Sequence, residues 1–104
     1  MTRLDAKITL WNEEFPPTRE IIEKRMKKEG FSPWPWTDKA GTQYGDHQHE
    51  NSEVRWIYKG KLIIGTAGET FTLNPGDRLD MPPNTIHWAK VPLTGPVSYL
   101  CGEK

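Results

Sequence analysis

A chain of 104 residues is one domain with room for a single modest core. Fourteen basic and fourteen acidic residues cancel, so nothing in the balance favours nucleic acid or an anionic membrane; with no apolar stretch near the ~20 residues of a membrane span and no apolar leader in MTRLDAKITLW, a soluble cytoplasmic protein is expected. The single Cys101 forms no internal disulfide, and nine glycines with nine prolines favour short strands and turns over a helical bundle.

Residues 6–11, AKITLW, alternate as a first strand that Phe15-Pro16-Pro17 ends. Thr18 to Glu29 reads as the one helix. Thr18 is the N-cap, Glu20 lies near the positive end of the dipole, and Lys24, Arg25, Lys27 and Lys28 crowd the end where cations are favoured. Gly30 fits the left-handed position after the helix, which brings Phe31 back onto Met26. Ile22 and Met26 form a narrow apolar stripe, and the basic run reads as a solvated face. Residues 31–39, FSPWPWTDK, cannot be helical because of Pro33 and Pro35, and suit an extended edge or a lid-like segment. Trp34 and Trp36 there have three readings: covering a pocket mouth, packing on a second subunit, or closing the barrel end.

The stretch from Gly41 to Gly60, GTQYGDHQHENSEVRWIYKG, carries the chemistry. On a strand, His47 and His49 put both imidazoles on one face with Cα atoms roughly 6.5–7 Å apart, close enough to converge on one ion. The polar, turn-prone Glu50-Asn51-Ser52 lets the chain reverse, so that Glu53 returns as a carboxylate donor. From Glu53, EVRWIYK runs to Gly60 and KLIIG leaves it, which reads as a hairpin at Lys59-Gly60. Alternation then places Glu53, Arg55 and Ile57 inward and Val54, Trp56 and Tyr58 outward, and gives Gln43 the inward parity of the histidines unless a bulge intervenes.

Ala67-Gly68 makes the next turn, ETFTL the next strand, and Asn74-Pro75-Gly76-Asp77 a type II turn. RLDMP, IHWAKV and VSYLC follow. His87, the third and last histidine, shares a face with Ala89 and Val91, with Trp88 on the other. About eight or nine short strands predict an all-β fold, a small antiparallel barrel or jelly roll with one N-terminal helix and an interior able to hold one small ligand. Residues 1–104 read as a single domain, with 1–40 as strand, helix and Pro/Trp segment and 41–104 as the core barrel.

Gly41, His47, His49, Glu53 and Gly60 resemble the first motif of the cupin superfamily, and Gly76, Pro82 and His87 its second. The motifs and the segment between them cover about half the chain. Asn84 stands where the family usually has glycine, a mild change because Asn also tolerates left-handed backbone. Val91 stands where asparagine is frequent, at a position that does not bind metal. The resemblance implies a double-stranded β-helix, with His47, His49, Glu53 and His87 around one metal ion. It leaves the activity open, since cupins include dioxygenases, isomerases, epimerases, decarboxylases, storage proteins and ligand-sensing domains.

Three imidazoles and one carboxylate suit a divalent first-row ion such as Fe, Mn, Ni, Zn or Cu with open coordination positions; the competing reading is a hydrogen-bonded polar cluster without metal. The expected function is a metal-dependent small-molecule enzyme, dioxygenase- or isomerase-like, with a non-catalytic small-ligand or metal-sensing module as the alternative. Arg55 is placed to clamp a substrate carboxylate, and Tyr44 and Asp80 are further candidates by proximity. Five tryptophans, three tyrosines and three phenylalanines exceed what a small barrel interior holds, and outward Trp56, Tyr58 and Trp88 lead to the expectation of a homodimer.

Overall fold

The computed structural model describes residues 6–104. Nine strands and one helix follow in the order β1 (Lys7–Thr9), α1 (Arg19–Lys28), β2 (Trp34–Asp38), β3 (Gln43–His47), β4 (Glu53–Lys59), β5 (Leu62–Thr66), β6 (Glu69–Leu73), β7 (Arg78–Met81), β8 (His87–Lys90) and β9 (Val97–Glu103). They form two sheets, one ordered β1-β7-β4-β9-β2 and the other β3-β8-β5-β6, every pair antiparallel. This is the jelly-roll barrel with one N-terminal helix that the turn spacing predicted. No helix among the described residues is long and apolar enough to cross a membrane.

The core lies between the sheets. Ile57, Leu62, Ile64, Leu73, Leu79, Met81, Val97 and Tyr99 pack there, at most 5 % exposed. Alternation along β4 holds: Ile57 enters this core while Val54 and Trp56 face the other way, beneath α1. The helix buries Ile22 and Met26 completely against Val54, Trp56, Phe31 and Leu100. Its ends follow the sequence. Thr18 Oγ1 accepts from the Ile21 amide at 3.3 Å, Gly30 has φ +97°, and the Phe31 and Gly30 amides return to the Met26 and Lys27 carbonyls at 3.0 Å.

The expected hairpin at Lys59-Gly60 is not one. β4 pairs with β7 and β9, whereas β5 pairs with β6 and β8, so the chain crosses from one sheet to the other at Gly60. Both strands carry apolar inner faces, and stacking them face to face buries Ile57 with Leu62 and Ile64, which edge pairing in one sheet would not. Gly60 permits the crossing: its φ is +79° and any Cβ there would collide with the Pro96 carbonyl. The hairpin lies one turn later, where Ala67 and Gly68 both have positive φ and close β5 onto β6.

The first strand is shorter than AKITLW, and Leu10 beyond it is exposed. Trp11 instead packs beside the helix under the Arg25 guanidinium, 5.0 Å from its ring centroid. The cover that Trp56 needed is also local: it is 7 % exposed beneath α1, and its Nε1 donates to the Gly76 carbonyl at 2.9 Å.

Candidate metal centre

His47 ends β3 and stands directly opposite His87 on β8. His49 lies past the end of the strand, in the bend that leads to β4, and its carbonyl accepts from the Asn84 amide at 2.7 Å. That contact ties the two halves of the site together, and Asn84 makes it with φ +62°, the left-handed conformation that asparagine tolerates. The three rings converge. Their centroids are 4.1 Å (His47 and His87), 5.0 Å (His47 and His49) and 5.5 Å (His49 and His87) apart, and one potential ligand atom from each lies within 4.8 Å of the others.

Backbone carbonyls aim two of these rings. His47 Nδ1 lies 2.7 Å from the Gly45 oxygen and His87 Nδ1 2.9 Å from the Thr85 oxygen; with the proton donated there, each Nε2 keeps its lone pair for an ion. Burial lowers the pKa of His87, with the neighbouring His47 and His49 adding to the effect against the Thr85 hydrogen bond, so this ring stays in the neutral form that binds metal. Glu53, 3 % exposed, holds Oε2 at 3.3 Å from His49 Nδ1 and Oε1 at 2.9 Å from Arg55 Nη2. Arg55 approaches off the line of a hydrogen bond, so Oε1 is compensated in charge and still has no hydrogen-bond partner. Burial pushes the Glu53 carboxyl above its usual range, while Arg55 and then His49 pull it down.

The three imidazoles fit a metal, whereas Glu53, its oxygens turned to His49 Nδ1 and Arg55 Nη2, is not among the atoms that converge; among the described residues, the buried side-chain atoms without a partner are His49 Nε2 and Glu53 Oε1. Buried polar atoms left open cost free energy unless an ion or ligand meets them, and both belong to the expected ligands.

The rings line a cavity of about 350 Å³ whose apolar wall includes Leu62, Ile64, Met81 and Ala89, and whose mouth carries the part-exposed Trp34, Trp36 and Tyr44. Arg55 lines it, as strand parity predicted. Tyr44 lines it as well and Gln43 does not, against the parity expectation. Between Tyr44 and His47 the register slips by one residue relative to Ala89 and His87, so a bulge turns Gln43 to the outer face beside Trp88 and Lys90. Asp80 is also on the wrong face for the site: its neighbours Leu79 and Met81 point into the core, and its carboxylate takes Arg78 Nε at 2.8 Å on the far side of the sheet. Sequence reasoning missed Asp38 and Tyr99. Asp38 is 5 % exposed and accepts from Tyr44 (2.5 Å), Tyr99 (2.7 Å) and Trp36 (2.8 Å); no motif marks it, because its partners lie up to 61 residues away.

Residues 35–102 match the family model described as "Cupin domain". A stretch of 48 residues is 40% identical to quercetin 2,3-dioxygenase of Bacillus subtilis, covering 45% of this chain and 14% of that protein. A further 48-residue match, also 40% identical, is to acireductone dioxygenase of Bacillus licheniformis and covers 41% of this chain and 27% of that one. The chain therefore spans less than a third of the length of either relative. Among solved structures, a cupin 2 domain-containing protein from Halorhodospira halophila superposes with a TM-score of 0.72 over 98% of this chain and 79% of its own, at 14% identity, a likeness of fold alone.

Proposed function

The chain belongs to the cupin domain family, and from that premise we propose that His47, His49, Glu53 and His87 hold one divalent first-row transition metal and that the pocket above it binds, and acts on, a small molecule. The observation that carries this reading is the convergence of three imidazoles, one of which, His49, has a buried Nε2 without a partner. A bound ion supplies Lewis-acid or redox chemistry at its open positions. The protein's part is positional. The Gly45 and Thr85 carbonyls fix two rings, Glu53 stands against the third, and Leu62, Ile64, Met81 and Ala89 give the cavity an apolar wall.

Arg55 supplies the cationic side of the pocket, with its charge shared with Glu53 at 2.9 Å; a small carboxylate meeting it would take part of that charge. Two short matches to dioxygenases support an oxygen-using reaction, dioxygenase-like rather than isomerase-like. The test is elemental analysis of protein purified without chelator or added metal, followed by oxygen uptake with small carboxylates and catechols. Near one equivalent of a redox metal with uptake is expected, and His49→Ala should lose most of the metal while staying folded. Full occupancy in that variant would overturn the ligand assignment, and zinc without turnover would favour a non-catalytic sensing or binding module.

A further inference from the structure

Three side chains that line the pocket and ordinarily donate hydrogen bonds meet at one place: the Trp36 indole N–H and the Tyr44 phenol at the mouth, and the phenol of Tyr99 in the core behind them. All three donate to Asp38. Trp36 Nε1 and Tyr44 Oη reach Oδ1 at 2.8 and 2.5 Å, and Tyr99 Oη reaches Oδ2 at 2.7 Å. An indole has one hydrogen to give and a phenol has one, so every donor in this group is spent on one buried carboxylate. From these three side chains a ligand meets phenol lone pairs and π faces, with a carboxylate behind them; the Trp34 indole lines the pocket outside this group.

We propose that Asp38 is a specificity-determining positioning residue: by holding the hydrogens of Trp36, Tyr44 and Tyr99 it leaves this side of the pocket able only to accept, which selects a small molecule that brings a hydroxyl or ammonium donor to the Tyr44 oxygen. This rests on the proposed reading of the cavity as a ligand pocket. The imidazoles and Arg55 suit an oxyanion, while the phenol oxygens, with Tyr44 37 % exposed, suit a neutral or cationic donor. The hydrogen bond to Asp38, with burial, raises the Tyr44 pKa; burial, then the same carboxylate, raises that of Tyr99. Both phenols thus keep the hydrogens that Asp38 holds.

The probes are 4-hydroxybenzoate and 4-methoxybenzoate, which share ring and carboxylate but differ in the donor hydrogen, titrated by quenching of tryptophan fluorescence with metal content measured on the same samples. Wild type should bind the hydroxy compound about fivefold more tightly, the worth of one hydrogen bond. In Asp38→Asn the amide nitrogen cannot face Trp36, which has nothing to accept with, so it faces Tyr99; that phenol must then accept, and its own hydrogen is released into the pocket. The preference should fall towards unity with metal content unchanged. Tyr44→Phe, at a part-exposed position that tolerates the change, removes the accepting oxygen directly and should give the same loss, so the test stands even where Asp38→Asn fails to fold. Equal affinities in wild type, no binding of either probe at millimolar concentration, or an unchanged preference in the folded variants would each overturn the proposal. A metal-free wild type that keeps the preference would refute the metal reading and leave this one standing.

Discussion

Glu53 shows how one side chain carries two duties. Its carboxylate lies between the His49 ring and the Arg55 guanidinium, and with 3 % exposure it depends on those neighbours for the solvation that water no longer gives. In metal-free protein, Arg55→Ala should therefore destabilise the fold by about 3 kcal/mol, because it leaves a buried charge without its cation. The double variant Arg55→Ala, Glu53→Gln should recover most of that loss. Urea unfolding of the set measures both, and an Arg55→Ala variant as stable as wild type would mean that Glu53 has another source of compensation. The inward facing of both residues was legible from strand alternation. That of Tyr44 was not, since the bulge before His47 reverses the parity and is set by pairing with β8 rather than by the local sequence.

At the scale of the element, the helix was readable almost to the residue because its signals are local: a Thr18 cap, the Ile22 and Met26 stripe, and Gly30 after the last turn. What fastens its end to the barrel was not. Arg78 on β7 grips Glu29 with two hydrogen bonds, 2.6 and 2.8 Å, while its guanidinium stacks 4.8 Å above Trp56. The hydrogen bonds from Arg78 hold the Glu29 carboxyl below its ordinary 4.5. Between the two values the unfolded chain binds more protons than the folded one, so this contribution is full above pH 4.5 and is lost as pH falls through the folded value. Glu29→Gln should accordingly lower the urea midpoint at neutral pH, and the gap from wild type should close as the pH drops below 4.5. A gap independent of pH would show that the pair acts through packing alone.

At the scale of the molecule, α1 accounts for Trp56, one of the three side chains on which the expected homodimer rested. The aromatic residues left most open are Phe15 at the N-terminal end and Trp34 and Trp36 on β2, an edge strand of the first sheet. A homodimer remains a proposal and now rests on that edge. Sedimentation at micromolar concentration should give twice the 12.0 kDa of the chain, and Trp34→Arg should shift the protein to monomer. A 12.0 kDa species unchanged on raising the concentration would show that the edge protects itself.

The sequence by itself determined what depends on neighbouring residues: strand faces, the helix and its caps, the type II turn at Pro75-Gly76, and the spacing of His47, His49, Glu53 and His87 about two turns. Tertiary structure decided what depends on which strands meet. Gly60 could be read as a turn, but whether it closes a hairpin or carries the chain to the opposite sheet depends on where β4 and β5 bury their apolar faces. Asp80 shares a motif segment with His87, yet the pleat of β7 sends it to the other side. Asp38 gains its role only because β2 lies along β9 and across the mouth from β3, bringing Tyr99 and Tyr44 to one carboxylate. A local pattern encodes which way a side chain faces, and long-range pairing alone settles what it faces.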